Sequence, residues 1–177
     1  MKIDKLSSSG KIRKNETGAI RDNAEGKGRF DLIPFDAMRD LKLVDCLLEG
    51  QDDKHYALAG IFSALEVFVQ EDDIELLLEA VVMYSRDRYG SLEKAFLEVS
   101  HRFEAGATKY GTHNWQKGMP YSWFIDSGVR HLLMDAIGLD DEPHDQAFIW
   151  NMICLISTYN NNKTMNDIEY MVRGKNK

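Results

Sequence analysis

The sequence predicts an all-α fold, a helical bundle, and three observations carry that reading. From Pro34 onward, apolar residues recur at the helical spacing of about 3.6. Nowhere do apolar and polar residues alternate as in a half-buried strand, and no Asn-Gly hairpin signal occurs. Glycine, proline and asparagine fall between the periodic stretches, where helices start and stop.

Residues 1–33 are rich in Lys, Ser, Gly and Asn and lack hydrophobic periodicity, which predicts a flexible basic arm. Arg29, beside Lys27 and two glycines, is a candidate phosphate contact or simply part of that tail. The all-α domain is expected over residues 34–161. Its first helix spans Asp36 to Glu49, with Met38, Leu41, Val44 and Leu48 in a loose stripe closed by Gly50. His55 to Val69 follows, then Ile74 to Tyr84 behind a cap at Asp72-Asp73. Ser91 opens a helix whose stripe is Leu92, Phe96, Val99, Phe103 and Ala107. Gly111 to Pro120 is a loop. Tyr121 to Ile137 is a helix ended by Gly138, and His144 to Tyr159 is a helix capped by Asp141 and broken by Asn160 to Asn162. Residues 162–177 are a tail with a short, frayed end.

The net charge of −7 argues against broad contact with duplex nucleic acid, which needs many Lys and Arg to displace counterions. A nucleotide substrate stays compatible, because a divalent metal can carry triphosphate charge. The polar, basic N-terminal stretch lacks the apolar core of a secretory signal, and no apolar run is long enough for a membrane span. A cytoplasmic protein is expected. Cys46 and Cys154 sit far apart in apolar runs without zinc-like spacing and read as reduced, buried thiols.

Polar residues gather on helices that should otherwise be buried. Asp126, Arg130 and His131 stand at i, i+4 and i+5, with Asp135 one turn beyond. Asp126 and Arg130 form either a plain helical ion pair or part of a site. His144 and Asn151, seven apart, face the same way. Asn151 lies in an apolar run, so it either satisfies its amide in the core or reaches a ligand. Taken together, Asp126, His131, Asp141, Glu142 and His144 offer the hard oxygen and nitrogen donors that suit Mg²⁺ or Mn²⁺ in a helical bundle. Lys109, Lys117 and Arg130 are candidates for holding phosphate charge. Trp115 is a candidate stacking platform for a base or an ordinary packing residue. Glu104 reads equally as a general base or as an exposed helical Glu.

These residues fall in recognisable blocks: Gly18-Ala19-Ile20-Arg21-Asp22, Gly26-Lys27-Gly28-Arg29-Phe30-Asp31-Leu32-Ile33-Pro34, Gly106-Ala107-Thr108-Lys109-Tyr110-Gly111 and Asn114-Trp115-Gln116-Lys117-Gly118. Arg130-His131-Leu132, Asp141-Glu142, His144 and Trp150-Asn151 follow. The pattern resembles the phage and prophage dATP/dGTP diphosphohydrolase family. That family is similar in turn to the MazG-like all-α enzymes that cleave a nucleoside triphosphate to monophosphate and pyrophosphate. The blocks cover residues 18–38 and 104–155. Residues 39–98 have no counterpart and read as an inserted helical hairpin.

The resemblance implies a metal-dependent hydrolase of purine deoxynucleoside triphosphates, working as a homo-oligomeric dimer or tetramer in a phage-infected cell. It implies catalytic roles for Glu104, His131 and Asp141. Substrate contacts would come from Arg29, Lys109, Asn114, Trp115, Lys117, Arg130 and Asn151. The Glu-Glu-x-x-Glu helix of typical MazG-like enzymes is missing. By position, Arg130-His131 and Asp135 stand where it would be. That departure leaves a second reading, a catalytically silent nucleotide-binding or regulatory phage protein.

Overall fold

The computed structural model describes residues 12–22 and 53–168. Five α-helices, two short 3₁₀ helices (Asn114–Lys117, within the expected loop, and Lys163–Met165) and one small two-stranded ribbon make up the regular structure of these residues, so the fold is all-α, a helical bundle. The strands are β1 (Ile12–Lys14) and β2 (Ile20–Asp22). The helices are α1 (Asp53–Glu71), α2 (Glu75–Tyr89), α3 (Leu92–Tyr110), α4 (Tyr121–Ala136) and α5 (His144–Asn161). The expected helix at 36–49, Arg29 and Cys46 lie outside the described residues.

The chain divides into two compact units, with the division inside α3 after Leu97. One unit holds α1 and α2. Asp72 ends α1 in the left-handed conformation, at φ 55°, which Asp tolerates better than most residues. Asp73 then accepts the Glu75 N–H at 2.9 Å, but the N-cap of the next helix is Ile74, which has no side-chain cap bond, so the expected aspartate cap stands just outside the helix. That helix runs to Tyr89, five residues past its expected end at Tyr84, and is closed by Gly90 at φ 77°.

The other unit holds the ribbon, the rest of α3, α4 and α5. Its core is the packing of α4 on α5, where Phe124, Ile125, Val129 and Leu132 are buried, as are Phe148, Ile149, Met152 and Leu155. Each such side chain contributes roughly 1.5–3 kcal/mol by leaving water. Gly128 lets the two helices close up: a Cβ there would lie 2.6 Å from Met152 Cε and 3.3 Å from Asn151 Cβ. Gly138, at φ 70°, ends α4 with its N–H on the Asp135 carbonyl and the Leu139 N–H on Met134. The residue at the N-cap of α5 is Pro143, not Asp141, whose carboxylate is engaged elsewhere. The helix continues through Asn160 and Asn161 and stops at Asn162.

The reading that no strand occurs needs correcting, as does that of a structureless arm where it covers residues 12–22. β1 and β2 pair antiparallel, with Arg13 opposite Arg21. The turn is built by Asn15, whose Oδ1 accepts the Ala19 N–H, and by Gly18 at φ 85°. Side chains tie the ribbon to the loop before α4. Asn15 Nδ2 donates to the Gly118 carbonyl at 2.6 Å, and the Thr17 hydroxyl donates to it at 2.7 Å. Asn114 accepts the Ile20 N–H and donates to the Ile20 carbonyl. No helix among the described residues is long and apolar enough to cross a membrane.

Candidate functional site

The unit built on α4 and α5 contains a cavity of about 660 Å³, within the range of small-molecule sites. One part of its wall is aromatic. Phe103 on α3 stands between Trp115 and Trp150, with ring centroids 6.1 and 5.8 Å away. Another part is cationic, with Arg21 from β2, Arg102 and Lys109 from α3, and Arg130 from α4.

His131 on α4, His144 on α5 and Glu142 just before α5 meet at this wall. His131 Nδ1 and His144 Nδ1 are 3.0 Å apart, and they lie 3.7 and 3.9 Å from Glu142 Oε1. A triangle with those edges has a point about 2.1 Å from all three corners, the length of a bond from a divalent transition metal to imidazole. The donor set therefore fits one metal ion. Two details prepare it. Asp141 Oδ1 lies 2.9 Å from His144 Nε2, which holds the proton on that nitrogen and leaves the Nδ1 lone pair toward the cluster. Burial, followed by the charge of Arg102 and the proximity of His144, lowers the His131 pKa to about 2, so its ring is neutral and able to ligate. Arg102 Nη2 donates to Glu142 Oε2 at 2.7 Å, fixing the carboxylate while leaving Oε1 to the cluster.

The residues singled out in the sequence separate clearly. His131, Asp141, Glu142 and His144 are brought together, as are Lys109, Asn114, Trp115, Arg130 and Asn151 around the cavity. Asp126 is buried in the helix pair with its Oδ2 3.5 Å from Arg130 Nη2, and it does not line the cavity. Glu104 is exposed, 4.0 Å from His101, and Lys117 is exposed on the loop; neither lines the cavity. Asn114 spends both ends of its amide on the backbone of Ile20. Asn151 Nδ2 donates to the Ala147 carbonyl and its Oδ1 accepts from Arg21 Nη2 at 2.6 Å.

Sequence reasoning assigned no role to Arg21, Arg102 or Trp150. Arg102 is three residues from Ala105-Gly106 on a helix with many charged positions, and only its pairing with Glu142 distinguishes it. Arg21 falls within the Gly18 to Asp22 stretch, but nothing in the sequence brings β2 to α5.

Residues 83–168 match the family model described as dATP/dGTP diphosphohydrolase, N-terminal. The match spans the metal-fitting cluster and most of the cavity wall and supports the resemblance carried by residues 104–155. No curated protein and no solved structure matches the chain significantly.

Proposed function

We propose that the protein hydrolyses purine deoxynucleoside triphosphates, dATP or dGTP, to monophosphate and pyrophosphate with a divalent metal. The observation that carries this reading is the meeting, in one cavity, of a three-donor metal cluster with a cationic wall and an aromatic wall. The family match to residues 83–168 supports hydrolysis of a nucleoside triphosphate.

His131, Glu142 and His144 would hold the metal. A bound divalent ion supplies neutralisation of phosphate oxygens and a water of lowered pKa. Asp141 fixes the His144 tautomer and is our candidate to accept the proton of the attacking water. Lys109 and Arg130 hold phosphate charge, which the cavity wall makes stronger than it would be in bulk water. Trp115 and Asn151 bound the nucleoside. Glu104, Asp126 and Lys117 receive no role, since all three stand away from the cavity. Mn²⁺ suits the site better than Mg²⁺, because two of three donors are imidazoles. A homo-oligomer belongs to the same reading, as the resemblance implies. We place the protein in the cytoplasm of a phage-infected or lysogenic host.

Product analysis with each dNTP and Mn²⁺ or Mg²⁺ tests the reading. The expected outcome is monophosphate and pyrophosphate from dATP or dGTP, reduced by about 10²-fold or more in His131→Ala and Asp141→Ala. The cluster offers only one carboxylate, which favours a second reading, a nucleotide-binding protein without turnover. Tight dNTP binding with no product under either metal selects it.

A further inference from the structure

Arg21 is the cation of the cavity wall whose charge the described residues leave uncompensated. Its Nη2 donates to the neutral amide of Asn151, while its Nη1 is buried with no hydrogen-bond acceptor. No carboxylate among the described residues acts on it. Burial and the like charge of Arg13 lower its pKa to about 10, which still leaves it protonated at neutral pH. Arg102 has Glu142 and Arg130 has Asp126. The guanidinium stands 5.7 Å from the ring centroid of Trp150, whose indole N–H is another buried donor without an acceptor at this wall. An unmet buried donor is costly, and an uncompensated buried cation more so. Two such costs at adjacent residues on one cavity wall point to an acidic ligand that arrives from the cavity.

We propose that Arg21, carried into the cavity wall by β2 and flanked by Trp150, is the anchor for a phosphate chain. A phosphate chain satisfies both donors, since guanidinium presents a fork of N–H groups to phosphate oxygens and indole N–H only donates. The ribbon thereby acquires a function: the bonds of Asn15, Thr17 and Asn114 hold β2 where Arg21 reaches Asn151. The inference deepens the nucleotide reading and rests on it for the identity of the anion.

Inorganic tripolyphosphate is the probe, titrated calorimetrically into the full chain with EDTA present so that no metal bridges it. Wild type is expected to bind. Arg21→Met is expected to bind about tenfold or more weakly, with a thermal midpoint no lower than wild type, because an uncompensated cation has gone. Arg21→Lys, which keeps the charge and loses the fork, is expected to fall between. In ¹⁵N spectra of wild type, the Arg21 Nε–H signal is expected to shift during the titration, a readout independent of how the variants fold. Unchanged affinity in Arg21→Met, or an Nε–H signal that stays still, overturns the proposal. If Arg21-dependent binding persists in a protein that turns over no dNTP, the hydrolase reading fails and this one stands. If dNTPs are hydrolysed while Arg21→Met binds tripolyphosphate normally, the reverse holds.

Discussion

His131 sits 3.0 Å from His144, close to the positive charges of Arg102, Arg130 and Arg21. Its ring is neutral in the folded protein down to about pH 2, whereas an unfolded chain protonates it below about 6.5. The folded pKa is depressed, so the contribution to stability is complete above the unfolded pKa and is lost as pH falls below it. The slope approaches about 1.4 kcal/mol per pH unit. Between pH 7 and pH 5 the metal-free protein should lose roughly 2 kcal/mol more stability than His131→Gln, measured by urea unfolding in EDTA. Equal losses in the two proteins would contradict the assignment. At the neighbouring position, Asp141→Asn should weaken metal affinity about 10- to 100-fold, because the amide no longer fixes the His144 tautomer. Competition against a chelating dye measures it. The residue types of this cluster were legible in the sequence, since His131 on one helix and Asp141, Glu142 and His144 at the start of the next stand at spacings that permit convergence. The division of labour was not. Nothing in the sequence tells that Asp141 takes the far nitrogen of His144, or that Asp126, one turn before Arg130, stays in the core.

At the scale of the element, the helices were legible because burial imposes their period, and their ends were legible where a glycine supplies the closing conformation, as Gly138 does after α4. The ribbon was not. Its strands are three residues each, too short for alternation to register, and the contacts that hold it come from residues about a hundred positions away. Only Asn15 and Gly18, at the first and last positions of the turn, signal it locally. Gly118 is where the ribbon depends on the loop. Its carbonyl receives Asn15 and Thr17, its φ is +94°, and an added Cβ would lie 2.9 Å from Met165 Sδ and 3.2 Å from Asn162 Nδ2. Gly118→Ala should therefore cost about 1–3 kcal/mol from backbone strain alone. Amide exchange in residues 12–22 should rise while the amides at the centres of α4 and α5 change less. Uniform acceleration throughout would mean that the ribbon opens only with the whole fold.

At the scale of the molecule, an acidic chain of net charge −7 concentrates arginines at one cavity beside a cluster of two imidazoles and one carboxylate. That arrangement suits a ligand that brings both negative charge and a metal, and each should raise the stability of the folded state by mass action. A metal bound only by the native protein adds about 2.7 kcal/mol at a hundred times its Kd. For a chain of this size, that corresponds to a thermal midpoint raised by roughly 5–10 °C. Mn²⁺ should reach this shift at lower concentration than Mg²⁺, because imidazole nitrogens bind first-row transition ions better than they bind magnesium. His144→Ala should remove the Mn²⁺ shift, since it deletes one of three donors. It should leave the shift produced by tripolyphosphate in EDTA, since that anion meets Arg21 rather than the metal cluster. A scan in which Mg²⁺ and Mn²⁺ act equally, or in which His144→Ala still responds to Mn²⁺, would place the metal on other residues and separate the histidine pair from the chemistry.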